Sequence, residues 1–191
     1  MAATRQTLNW VKNGRGTPAF VVTRLEGTSE TYKKGALLMY DVSETGVVEC
    51  ARSSGVPSVD NAYGIALEDA SGTALSDQDV LIPLPGDLFA AALATDADTV
   101  IAPVAASHIG QSVGIVKLST TGGAGTEYVA LFGGGADDTW GTIVDLYKPD
   151  VEKRGGISAT FSAGDRVVIQ FNANSFVHRV NNETLVDGSI A

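Results

Sequence analysis

Two histidines, one cysteine and a few closely spaced aspartates are the residues of this 191-residue chain whose types could do chemistry. His108 and His178 are far apart in the chain, and neither sits in a motif that would pair it with a nucleophile. No Gly-x-Ser-x-Gly elbow exists to present a serine at the end of a strand. Cys50 lies in Val47-Val48-Glu49-Cys50-Ala51-Arg52, where alternation puts it on one side with Val48 and Arg52. Nothing in this run marks an activated thiolate, so Cys50 reads as a small packed side chain. One Cys and two distant His cannot supply the paired ligand spacing of a zinc site. Gly133-Gly134-Gly135 follows a strand-like run, but no Lys-Ser/Thr comes after it, and Asp137-Asp138 would repel phosphate. Asp77-Gln78-Asp79, Asp96-Ala97-Asp98 and Asp137-Asp138 could each give calcium two carboxylates. No EF-hand spacing joins them, and Asp favours turns for its own hydrogen-bonding reasons. The sequence therefore predicts no enzyme, no cofactor and no metal.

The elements behind these residues read as strands. The chain is 44% apolar with 22 glycines, and Ala, Val, Thr, Ser and Gly dominate over the residues of long helices. Strand-like runs cover 20–25, 36–42, 46–52, 64–68, 80–84, 113–118, 128–132, 142–147 and 166–171. Ser43-Glu44-Thr45-Gly46 suggests a hairpin between the second and third of these. Pro83 and Pro85 predict that 80–84 is an edge strand, because each proline removes a ladder donor. Leu88 to Ala94 suits a short helix and an extended strand equally. Val167, Ile169 and Phe171 alternate onto one face. Residues 64–84 and 114–132 echo each other at an offset of 50 residues, which suggests two β units of similar construction. Three regions follow: an extended arm over 1–18, a β-barrel or β-tulip-like body over 19–100, and a second β-rich region over 101–191. That last region ends in a polar tail from Asn181.

Charge is unevenly spread along the chain, whose net charge is −9. Residues 1–34 carry six basic and two acidic side chains, net +4; residues 35–116 carry eleven acids and only Arg52, net −10. The acidic total argues against nucleic acid as a partner, and the basic beginning suits an acidic protein surface. No apolar run approaches the roughly 20 residues that span a bilayer, and the first residues show no signal core. No membrane role is expected, and assembly is expected in a cytoplasm.

A string of short features resembles bacteriophage head decoration (capsid cement) proteins of the β-tulip type. They are Lys34-Gly35-Ala36-Leu37-Leu38-Met39-Tyr40, then Asn61-Ala62-Tyr63-Gly64-Ile65-Ala66-Leu67-Glu68-Asp69-Ala70. Val80 to Phe89 follows, closing on Pro85-Gly86-Asp87-Leu88-Phe89, and then Ala94-Thr95-Asp96-Ala97-Asp98-Thr99 runs on to Ile109-Gly110-Gln111-Ser112-Val113-Gly114-Ile115. Order and spacing over about residues 30–132 carry the likeness, and no single diagnostic motif does. The resemblance implies a homotrimer on the exterior of a virion capsid, bound to the major capsid protein, with an arm that orders on the shell. Arg5, Trp10, Lys12, Arg15, Phe20, Arg24 and Tyr32 are the expected contact residues, with Trp10, Phe20 and Tyr32 as aromatic anchors. Phe20 is the anchor best suited to ordinary core packing instead. Two other functions fit an all-β chain. One is a tail or fibre-base subunit; the other is a carbohydrate-binding adhesive module using Trp140 beside the glycine run.

Overall fold

The computed structural model describes residues 8–13, 20–41, 43, 45–51, 55–59, 61–84, 86–101, 104–121, 125–133, 139–148, 153–155, 166–172 and 175–176. The chain is all-β. Its strands are β1 (Asn9–Asn13), β2 (Phe20–Leu25), β3 (Leu37–Asp41), β4 (Gly46–Glu49), β5 (Gly64–Ala66), β6 (Asp77–Ile82) and β7 (Asp87–Ala91). They continue as β8 (Leu93–Ala94), β9 (Val100–Ile101), β10 (Ser112–Lys117), β11 (Tyr128–Phe132), β12 (Gly141–Lys148), β13 (Lys153–Gly155) and β14 (Arg166–Phe171). A single 3-10 turn, Ala106–His108, is the one helical element described.

These strands form two sheets. The smaller runs β2-β6-β5-β3-β4 and uses only residues 20–82. The larger runs β1-β7-β14-β12-β10-β11-β8-β9, with β13 added beside β12. All pairings are antiparallel except β8 with β11. The small sheet curls so that Glu26 bridges Val47, joining the end of β2 to β4. Gly46 allows that approach, since a Cβ there would sit 2.7 Å from the Leu25 carbonyl oxygen. Among the described residues the barrel expected from the sequence is not closed.

One apolar cluster runs through both sheets. It includes Leu37, Ile65 and Leu81 from the small sheet and Phe89, Leu93, Ile115, Ile143 and Ile169 from the large one. Alternation explains much of this, as Val167, Ile169 and Phe171 of β14 all face that cluster. The chain leaves the large sheet after β1 and returns to it at 83–86, between β6 and β7. Strands before and after residue 100 share the large sheet, because β7 pairs with β14 and β8 with β11.

Three further expectations change. Residues 9–13 belong to no loose arm: they pair with β7, whose partner residues 87–90 are far away in sequence. β6 is not an edge strand but lies between β2 and β5. It ends at Ile82, so the prolines come after the last ladder residue and remove no donor from it. Leu88 to Ala94 is extended, as β7 and β8. There the small side chains of Ala90 and Ala91 fill fully buried positions, and tertiary packing overrides their helical propensity. The hairpin at 43–46 forms as expected, with Asp41 pairing Gly46 and the Asp41 carboxylate accepting the Ser43 N–H at 2.8 Å. The two echoing segments are both antiparallel pairs, β5–β6 and β10–β11, in different sheets.

Candidate functional site

The residues expected to do chemistry sit in structural roles. His108 Nδ1 accepts the Ala105 N–H at 3.0 Å, and its ring packs edge-on to Phe132. Cys50 packs against the core, and burial pushes its thiol well above the usual range, helped by Glu49. Asp96 closes its own turn by accepting the N–H groups of Asp98 and Thr99, each at 2.7 Å, and Asp98 accepts the Ser119 hydroxyl. Asp79 accepts the Thr23 hydroxyl at 3.0 Å. His178, Arg52 and Asp137-Asp138 lie outside the described residues.

Two buried polar clusters went unread in the sequence. Glu26 is fully buried and accepts the N–H groups of Ser71 (2.7 Å) and Gly72 (2.8 Å) and the Gln78 side-chain amide (2.8 Å). Its backbone also accepts from Leu75 and donates to Ser76, so the turn over 71–76 is clamped onto the end of β2. The second cluster joins the sheets. Glu49 on β4 meets Lys117 Nζ of β10 at 2.7 Å, and the Tyr128 hydroxyl of β11 donates to the same carboxylate at 3.1 Å. Lys117 also donates to the Ala51 carbonyl at 2.9 Å, and Glu30 accepts the Glu49 N–H. A Lys closing the apolar run of β10 was the available signal for this clasp.

The expected contact residues separate. Arg5 and Arg15 lie outside the described residues. Trp10 and Lys12 are on β1, opposite Phe89 and Leu88, with a register shift between them. Tyr32 is core, only 2% exposed. Burial raises its hydroxyl far above the usual range, with Glu26, Glu30 and Glu68 adding to the effect. It is placed to pack its own protein and not a partner. Phe20 is the reverse: suited by type to the core, it is exposed on β2. Arg24 turns back onto its own protein, with Nε donating to the Tyr63 hydroxyl at 2.8 Å and the guanidinium 5.5 Å from that ring's centroid. Lys33 pairs with Asp69 at 2.9 Å. The Lys34 N–H and Lys33 hold the Asp69 carboxyl below its ordinary pKa. Part of the basic beginning is thus spent on the protein's own body.

The geometry that remains is an open strand edge. Among the described residues β2 ends the small sheet, pairing along Phe20–Leu25 with β6 and reaching β4 at its far end through the Glu26–Val47 bridge. Toward Phe20 its other side therefore presents alternate N–H and C=O groups that no described strand pairs. Phe20 (51%), Val21 (42%) and Leu25 (39%) are exposed on it. Leu75, 56% exposed, stands in the clamped turn and donates its N–H to Glu26 beside Leu25. Its φ of 64° is strained for a leucine and is held by that clamp. Three of the six exposed large apolar residues described thus lie on this one strand, and Leu75 stands on its β6 side.

No family model, curated protein or solved structure matches the chain. The edge must be judged on its own chemistry. Sheet edges are ordinarily protected by Lys, Pro, bulges or a cover. β2 has no proline and no bulge against β6, and its one charge is drawn onto Tyr63. Such an edge can add a strand from another chain by main-chain hydrogen bonds and bury its apolar side chains in doing so. The expected sugar-binding aromatic fails the same inspection: Trp140 is fully buried and cannot stack on a glycan.

Proposed function

We propose that this chain is a structural virion protein that binds other protein subunits, seated on the exterior of a phage capsid as a head-stabilising decoration protein. The observation that carries the subunit-binding reading is the apolar β2 edge that no described strand pairs, with Phe20, Val21 and Leu25 exposed along the strand. Natural monomers seldom leave such an edge open, and clustered exposed apolar residues mark contact sites. The step from subunit binding to a phage head rests on the resemblance over residues 30–132. The polar groups described above support a non-enzymatic role, because each serves a turn, a clamp or a clasp. The major capsid protein and further copies of the chain, as a trimer, are the proposed partners.

Sedimentation with mature, expanded heads tests this reading. Saturable binding by a stable oligomer is the expected result. A strictly monomeric protein that stays in the supernatant would sink it, and density on the tail in particle imaging would move the role to a tail or fibre-base subunit. Val21→Lys is expected to weaken subunit binding about tenfold or more, since a partner strand would have to desolvate the new charge. Val21 is exposed, so the urea midpoint should move by no more than the equivalent of about 0.5 kcal/mol.

A further inference from the structure

The edge of β2 has a hydrogen-bonding phase and a length that select its partner. Glu26 donates its N–H to the Ser76 carbonyl, one step beyond the Leu25–Asp77 pair. On the far side of β6, the Leu67 N–H donates to the Asp79 carbonyl. Main-chain groups alternate sides along a strand, so Phe20, Val22 and Arg24 bond to β6 while Val21, Thr23 and Leu25 point away from it. At Leu25 that outward side is already taken. Gly27 donates to the Val47 carbonyl, and β4 lies so close that a Cβ at Gly46 would sit 2.7 Å from the Leu25 carbonyl oxygen. The stretch of β2 that no described strand pairs is therefore 20–24, with the outward groups of Val21 and Thr23 placed symmetrically about Val22.

A strand that docks here must offer outward groups at the same spacing, and β2 of a second copy does. Antiparallel pairing sets outward residues against outward residues, so Val21 can stand opposite Val21, Thr23 or Leu25 of the second copy. The first register uses only 20–22 of the open stretch. The third sets the second copy against Leu25, where β4 stands. The second pairs the whole of 20–24 with itself about a twofold axis at Val22. Phe20 then faces Arg24 of the second copy, Val21 faces Thr23, and Val22 faces its own mate. The one charge of β2 thus meets an aromatic ring, and the like-charge pairing that would weaken a ladder is avoided. Exposed Phe20 and Val21 gain cover, and β4 of each copy stands at one end of the paired stretch and limits it.

We propose that two copies of this chain join antiparallel through residues 20–24 of β2, making one continuous sheet from two small sheets. This rests on the subunit-binding reading and names a second copy as the partner of β2. A twofold contact joins copies in pairs, so it links one proposed trimer to the next. The test is disulfide formation in the full chain with Cys50 replaced by Ala, which leaves the introduced thiol as the only one. Val22→Cys puts two thiols face to face on the axis, in a non-hydrogen-bonded pair about 4.5 Å apart at Cα. Thr23→Cys puts them on a diagonal of about 7–8 Å, beyond easy bridging. Mild oxidation should therefore cross-link Val22→Cys at least about tenfold faster than Thr23→Cys. Thr23→Pro deletes an outward N–H and spares the β6 ladder. The doubling of mass on sedimentation should then need at least about tenfold more protein. Equal cross-linking at the two positions, or none at Val22→Cys in a folded protein that still binds heads, would overturn the self-pairing and leave the subunit-binding reading standing. A protein that neither cross-links nor sediments with heads would overturn both. If Val22→Cys does not fold, Thr23→Pro decides: self-association that it leaves unchanged overturns the pairing.

Discussion

Replacing Lys117 by Met is expected to cost about 3–5 kcal/mol of folding stability, the usual penalty for stranding one charge of a buried pair. Both side chains of the Glu49–Lys117 pair are about 5% exposed, so water can do little for the carboxylate left behind. The Tyr128 hydroxyl would still donate to Glu49, but one neutral donor does not replace an ammonium. Urea unfolding followed by tryptophan fluorescence measures the loss. The double variant Lys117→Met, Glu49→Leu is expected to recover most of it, because an apolar pair of similar volume need not be solvated. Tyr128 keeps the Ala51 N–H and carbonyl as partners in that background. If the single variant costs less than about 1 kcal/mol, the typical worth of an exposed pair, the clasp does not hold the sheets together.

The same clasp shows where sequence stops being informative. Strands such as 113–118, 128–132 and 166–171 were legible because β-branched residues and alternation report a local conformation. Sheet membership was not, since it depends on partners such as β1 and β7 that are remote in the chain. Glu49 and Tyr128 are 79 residues apart, and nothing local announces that they meet. Pro83 and Pro85 suggest an edge strand by sequence, and that inference fails because both fall beyond the end of β6. At the contact surface, composition could name aromatic candidates but could not sort them. Tyr32 and Phe20 are both plausible anchors by type, and only the packed structure buries the first and exposes the second. The open edge itself was within reach: Phe-Val-Val-Thr-Arg-Leu has one charge in six residues, too few to guard an edge strand.

Trp140 separates a core role from a binding role in a second measurable way. Trp140→Ala is expected to cost about 3–5 kcal/mol, the range for emptying a large aromatic site in a core. The indole packs edge-on to Phe171 (6.4 Å between centroids) and Phe176 (5.5 Å), and Phe171 in turn lies 5.0 Å from Phe89. The backbone around it ties strands together: its N–H donates to the Val113 carbonyl, and its carbonyl accepts the Asn172 N–H and the Ser175 hydroxyl. Truncation would thus open a cavity where β10, β12 and β14 meet. Trp140→Phe should cost well under half as much. A ring still fills most of the space, and the buried indole N–H, which has no acceptor, is removed with the larger side chain. Any glycan binding abolished by Trp140→Ala would then follow from the loss of folding. Binding that disappears in a fully folded Trp140→Phe protein would instead restore the adhesive reading and count against a purely structural Trp140. Urea midpoints for both variants, measured beside the same binding assay, decide between them.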